Sequence, residues 1–168
     1  MRLYVIRHGL AHDPQPDQPD SQRLLTKEGY KKTRLVAQRL VALGVQVEAL
    51  LTSPYLRASQ TAMICHEQGL GPAPVIHAAL QPGGNWQDWL TWWREWQAQG
   101  GGAVALVGHQ PDLSHWAERL IWGEVRDKLV LKKAGVMLLE LPDQGNPVGA
   151  GQLLWLLPPK VLVDQAWG

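Results

Sequence analysis

Apolar and polar positions alternate along the chain in a way that predicts strands and helices in turn. The run "LYVI" at residues 3–6 is too short for a helix and has no polar alternation, so it reads as a strand covered on both faces. A polar, proline-rich stretch, "DPQPDQPDSQRLL", follows and is too irregular for a regular element. It reads as a surface loop, a candidate flap over whatever the first strand ends in. Thr26 is placed to cap a helix over residues 27–43, in which Leu35, Val36, Leu40 and Leu43 recur at helical spacing and which Gly44 ends. "ALLT" predicts a second strand. "SPYLRASQTAMICHEQG" predicts a second helix, with Ser53 as its cap and Pro54 at its first position.

The same alternation continues to the end of the sequence. "PVIHAAL" predicts a third strand, "NWQDWLTWWREWQAQ" a third helix, and "AVALVGH" a fourth strand. A fourth helix begins near Asp112, and "GVMLLEL" and "QLLWLL" predict closing strands around the turn-forming "PDQGNPVGAG". Strands alternating with helices in this order predict an α/β protein with a mostly parallel open sheet and helices on both faces. In such sheets ligands bind beyond the carboxyl ends of the strands. No internal repeat or long linker interrupts the series, so residues 1–168 read as one domain.

Composition narrows the function classes. Sixteen Lys+Arg against fifteen Asp+Glu give a formal net charge of +1. No global field draws the protein onto nucleic acid or anionic lipid, and any recognition of anions is local. Cys65 is the only cysteine, which excludes an internal disulfide and a cysteine-based metal cluster. The first residues already read as a strand, with no room for a charged leader and apolar signal core. No apolar run reaches the roughly 20 residues of a membrane span. The expectation is a soluble cytoplasmic protein that binds neither membrane nor nucleic acid.

The strand ends carry the candidate chemistry. Arg7 and His8 stand at the carboxyl end of the first strand, Arg57 in the first turn of the second helix, and Gly108 and His109 at the end of the fourth strand. An arginine or histidine in any one of these places is ordinary surface chemistry. Two arginines and two histidines converging on one rim make a phosphate cradle, because guanidinium forks beside a helix N-terminus suit a dianion. Gly9 and Gly108 allow close backbone approach. An imidazole attacks phosphorus only when neutral, and two neighbouring arginines disfavour the imidazolium of His8.

Other conspicuous residues have plainer explanations. His8 and His12 are four apart, like zinc ligands on a helix, but Gly9 and the strand-to-loop setting argue against a metal pair. "GGGAV" precedes its strand, whereas a phosphate-binding glycine loop follows one. His66, His77 and His115 read as incidental. Trp86, Trp89, Trp93 and Trp96 form a helical stripe in a protein without phenylalanine, which reads as core, the alternative being that Trp92 and some of the others are exposed as a docking surface for a partner.

"RHG" at the end of the first strand, "LT" followed by Gly29, "SPYLRASQTA" and "VGHQPDL" occur in order between residue 3 and about residue 113. Together they resemble the histidine phosphatase superfamily, and the small size is similar to its SixA-type phosphohistidine phosphatase branch. The resemblance implies a three-layer α/β/α sandwich of the phosphoglycerate mutase-like kind. It implies that His8 is the nucleophile, transiently phosphorylated, and that Arg7, Gly9, Arg57 and His109 surround the phosphoryl group. It implies neither metal nor cofactor. Arg23 stands in "RLLT", where that branch usually reads "RPLT", and is placed on the substrate side.

One departure bears on the substrate. Phosphomonoesterases and mutases of this superfamily carry a carboxylate just after the third strand to protonate a departing alkoxide, a service worth roughly 10²–10⁴ in rate. This chain reads "HAALQPGG" there: Gln81 is no acid, and the next carboxylate is Asp88 in the following helix. Phosphohistidine does not need that acid, because a protonated phosphohistidine leaves as neutral imidazole. The expected substrate is therefore a phosphohistidine-bearing protein of a phosphorelay or phosphotransfer system in signal transduction, with inorganic phosphate as product. A sugar phosphatase and a noncatalytic phosphoprotein-binding module are the alternatives; retention of both His8 and His109 speaks against the latter.

Overall fold

The protein is described from a computed structural model covering residues 1–164, so the last four residues of the expected 1–168 domain lie outside the described residues. Strand β1 (Arg2–Arg7) lies near the middle of a six-stranded sheet and is buried on both faces, as the unbroken apolar run requires. It pairs in parallel with β4 (Val104–Gly108) and antiparallel with β5 (Val136–Glu140). β2 (Ala49–Thr52) pairs in parallel with β4, and β3 (Val75–Ile76) in parallel with β2. β6 (Gln152–Leu157) closes the other edge antiparallel to β5, giving the order β3-β2-β4-β1-β5-β6. The sheet is thus mixed, parallel over β1 to β4, with only β5 reversed.

Period-two alternation along the strands divides the apolar residues between two cores. Leu3, Val5, Leu51, Val104 and Leu106 face α3 (Trp86–Ala98) and α4 (Asp112–Trp122). Tyr4, Ile6, Leu50, Ala105 and Val107 face α1 (Lys27–Ala42), α2 (Leu56–Glu67) and the short α5 (Pro159–Val163). The tryptophan stripe is core for Trp86, Trp89 and Trp93: the first two pack with Trp116, and Trp93 packs on Trp89. Trp92 and Trp96 are half-buried and stack on each other at 5.5 Å.

Three sequence expectations need correcting. The buried stripe of α1 is Gly29, Thr33, Val36, Ala37 and Leu40, whereas Leu35 and Leu43 are exposed. Gly29 explains the shift: a Cβ there would collide with the Leu10 carbonyl, so the smallest residues, not the largest, face the loop after β1. β3 is two residues long and the rest of "PVIHAAL" folds into a 3-10 turn over Ala78–Leu80, because β2 offers only Leu51 and Thr52 for pairing. Val75 and Ile76, 60% and 64% exposed, form an open edge. Helix α2 starts at Leu56, not at Pro54, since Tyr55 is extended (φ −69°, ψ 131°) and Ser53 is engaged elsewhere. Thr26 caps α1 as expected, accepting from the Gly29 amide at 2.9 Å.

Candidate active site

The parallel strands deliver their carboxyl ends to one rim. Arg7 is in register with Gly108, and the His8 amide donates to the Gly108 carbonyl at 3.1 Å. This places the residues following β1 and β4 side by side: the His8 and His109 rings lie 5.1 Å apart. β2 contributes Ser53, whose amide donates to the Val107 carbonyl at 2.9 Å and whose Oγ lies 2.8 Å from His109 Nε2. From the first turn of α2, Arg57 points its Nε at His8 Nε2, 3.3 Å away. His8, Arg57 and His109 are only 5%, 5% and 3% exposed.

The His8 ring is oriented by its own neighbour. Nδ1 lies 2.7 Å from the Gly9 carbonyl oxygen, an acceptor only, so Nδ1 carries the proton and Nε2 keeps its lone pair. The Gly9 amide donates to Thr61 Oγ1, which in turn donates to the Arg57 carbonyl at 2.7 Å. Gly9 has no room for a side chain, because a Cβ would overlap Thr33 Oγ1. Gly9, expected beside the phosphoryl group, thus has both backbone polar groups engaged within the protein, where the carbonyl orients the His8 ring and the amide ties the loop to α2. At Gly108 a Cβ would lie 3.2 Å from the Leu80 carbonyl, so the chain there packs closely against the turn after β3.

Both histidines are neutral at ordinary pH. Burial, helped by the charges of Arg57, Arg7 and Lys133 and opposed by the Gly9 carbonyl, lowers the His8 pKa to about 4. Burial, with His8, Arg57 and Arg7 against a raising effect from Asp20, lowers that of His109 to about 3. The arginines act in the expected direction, but burial is the larger cause. Tyr55 packs edge-on against His109 at 5.2 Å, and the Arg57 guanidinium lies over its ring at 5.0 Å, so one aromatic ring contacts both groups.

Arg7 Nη1 donates to the Leu131 carbonyl at 2.9 Å, while its Nε is buried without a protein partner. Arg23 reaches the cluster through a carboxylate: its Nη1 donates to Asp20 Oδ1, and Asp20 Oδ2 accepts from Arg57 Nη2, each at 2.9 Å. Asp20 belongs to a 3-10 turn (Asp20–Gln22) in the proline-rich loop, so the expected flap does reach the His8 site. Burial raises the Asp20 pKa, but the hydrogen bond and charge of Arg57, with Arg23 and His109, prevail and hold it below the usual carboxylate range.

Asp20, Ser53, Thr61 and Tyr55 escaped the sequence reading. Ser53 alone carried a usable signal, standing at the carboxyl end of a parallel strand where ligand sites collect. His66 Nδ1 donates to the Gly71 carbonyl, His115 pairs with Asp127, and His77 packs on Trp92. His12 is exposed on the loop. Among the described residues no three His, Cys, Asp or Glu side chains gather where they could hold a metal ion, and no helix is long and apolar enough to cross a membrane.

The family model of the histidine phosphatase superfamily (branch 1) matches residues 3–99. This chain belongs to that superfamily. The histidine phosphatase is 46% identical over 137 residues to an uncharacterised protein of Picosynechococcus sp., covering 82% of this chain and 83% of that one. It is 27% identical over 163 residues to the phosphohistidine phosphatase SixA of Escherichia coli (strain K12), covering 95% and 94% of the two chains. The solved structure of the protein histidine phosphatase SixA complexed with tungstate superposes with a TM-score of 0.84 at 26% identity, over 96% of this chain and 99% of that one. The histidine phosphatase is therefore of the SixA type, a phosphatase with the same mixed α/β fold, and the likeness extends past the family match through β4 to β6.

Proposed function

We propose that this histidine phosphatase removes phosphoryl groups from phosphohistidine on other proteins, through an intermediate phosphorylated on His8 Nε2. The observation that carries the reading is the His8 ring: neutral, with its proton fixed on Nδ1 by Gly9 and its lone pair on Nε2 beside Arg57. In the first transfer Nε2 forms a bond to phosphorus as the substrate's N–P bond breaks, and a substrate ring protonated on its other nitrogen leaves as neutral imidazole. Arg7, Arg57 and His109 donate to the equatorial oxygens, where charge accumulates. His109 donates from Nδ1, a buried atom without a protein partner, with the Ser53 hydroxyl donating to Nε2 to fix that tautomer.

In the second transfer water attacks phosphorus and His8 leaves. With Nδ1–H held by Gly9, the phosphorylated ring departs as neutral imidazole and needs no acid. Neither transfer uses a proton donor beside the leaving group, which suits N–P better than O–P cleavage. The carboxylate nearest Arg57, Asp20, is held ionised at neutral pH and is no such donor. Gln81 is exposed, and Asp88 accepts from Asn85 within the first turn of α3. The enzyme works without metal or cofactor, in the cytoplasm, on phosphoproteins of phosphorelay or phosphotransfer signalling, and releases inorganic phosphate.

The test compares initial rates on a phosphohistidine protein, free phosphohistidine and a panel of sugar phosphates, with a mildly alkaline quench to trap label on the enzyme. The phosphohistidine protein should react fastest and the label should sit on His8. Faster turnover of sugar phosphates would establish the phosphomonoesterase instead.

A further inference from the structure

Arg57 presents two hydrogen-bonding edges, and one residue fills the outer one completely. Nη1 donates to the Asp20 backbone carbonyl at 2.7 Å and Nη2 to the Asp20 carboxylate at 2.9 Å, while Nε, on the other edge, faces His8 Nε2. The second carboxylate oxygen of Asp20 is taken by Arg23. A planar fork held at both outer corners and stacked on Tyr55 has its rotation fixed. The edge left toward His8 consists of the Nε–H and the second Nη2–H, which is the pair of donors that can meet two oxygens of a phosphoryl group on Nε2.

We infer that Asp20, braced by Arg23, is a positioning residue that aims the inner edge of Arg57 at the phosphoryl group. The inference rests on the proposed transfer to His8. A displaceable stand-in for phosphate would use its side chain alone. Asp20 also uses its backbone carbonyl, and it approaches Arg57 from the edge away from His8, so substrate and Asp20 bind the same guanidinium together. Arg23 thereby acts on the site through Asp20, not through contact with the phosphoryl group.

The experiment compares Asp20→Ala and Asp20→Asn with the natural protein in three readouts: affinity for inorganic phosphate by calorimetry, the ¹⁵N-resolved Arg57 Nε–H signal, and kcat and KM on whichever phosphorylated substrate turns over. Asp20 is half exposed on a loop, so both variants are expected to fold. Asp20→Ala should lower kcat about 10- to 100-fold, the scale of a misplaced transition-state contact, and broaden the Arg57 signal. It should also weaken phosphate binding. Asp20→Asn keeps an acceptor oxygen for Arg57 and should restore most of each. Tighter phosphate binding or undiminished turnover in Asp20→Ala would overturn the positioning role. Failure of the natural protein on phosphohistidine would instead overturn the proposed substrate, while the phosphate affinity and the Arg57 signal still decide the role of Asp20.

Discussion

His8 Nδ1 and the carbonyl oxygen of Gly9 lie 2.7 Å apart, so the residue after His8 decides which of its ring nitrogens keeps a free lone pair. The consequence is testable without a substrate. Because the His8 pKa falls to about 4 and that of His109 to about 3, both rings stay neutral down to at least pH 5, where a solvent-exposed histidine is largely charged. Imidazole ¹⁵N shifts recorded from pH 5 to 8 should show His8 predominantly as the neutral Nδ1–H tautomer throughout. A His8 titration centred near 6.5 would contradict both the burial argument and the tautomer.

His8→Ala should abolish turnover and phosphoenzyme formation while inorganic phosphate still binds, because Arg7, Arg57 and His109 are untouched. Arg7→Ala and Arg57→Ala should each weaken phosphate binding about 10- to 100-fold, the worth of a charged hydrogen bond of about 1.5–3 kcal/mol. His109→Ala should mainly lower turnover. Calorimetric titration with phosphate, beside single-turnover rates, separates these effects. Unchanged binding in both arginine variants would end the shared-cradle account.

Much of this was readable in the chain because strand–helix alternation implies a mostly parallel sheet. Once β1, β2 and β4 are parallel and buried, their carboxyl ends must share a rim, and Arg7, His8, Arg57 and His109 follow. Asp20 was not readable, since its place depends on how an irregular loop folds back over 37 residues of sequence to Arg57. Helix α5 was missed because five residues with one buried side chain, Leu162, carry no period. "PVIHAAL" misled for the opposite reason: its apolar pattern is a strand's, but Val75 and Ile76 lie on an edge that solvent reaches.

Glu118 offers a prediction on stability. Fully buried in α4, its carboxylate accepts from the amides of Arg126, Asp127, Lys128 and Leu129, pinning the start of the loop whose Leu131 carbonyl holds Arg7. Burial raises its pKa, but the four amides prevail and lower it. A depressed folded value means that the stabilisation is complete above the ordinary carboxylate pKa and fades as pH falls through the folded value. Glu118→Gln should cost about 2 kcal/mol or more at pH 7, read from the urea midpoint, and should flatten the loss of stability as pH falls below the ordinary carboxylate pKa. A midpoint unchanged at pH 7 would remove Glu118 from this role.

Activity should survive dialysis against EDTA, since every group invoked is an organic side chain or backbone amide. The measurement is the rate before and after chelation, with zinc and magnesium added back. Loss that either metal restores would require a different mechanism.

The substrate argument has its own test, at Gln81. If selectivity for N–P bonds arises because no acid stands beside the leaving group, supplying one should change the ratio of activities more than their sum. Gln81 follows the 3-10 turn whose Leu80 carbonyl lies close to Gly108, the residue before His109, and is therefore the position chosen for the added acid. Gln81→Glu, or a glutamate one position to either side, should raise hydrolysis of an alkyl phosphate and leave phosphohistidine hydrolysis little improved. Asp88→Asn is the matching control. Asp88 is exposed in the first turn of α3, where a carboxylate mildly favours the helix dipole and accepts from Asn85, so its loss should be nearly silent. Were Asp88 the acid of a sugar phosphatase, the same change would cost about 100-fold or more on phosphomonoesters. A loss of that size, with native phosphomonoester rates above those on phosphohistidine, would transfer the assignment to O–P cleavage while leaving His8 as the nucleophile.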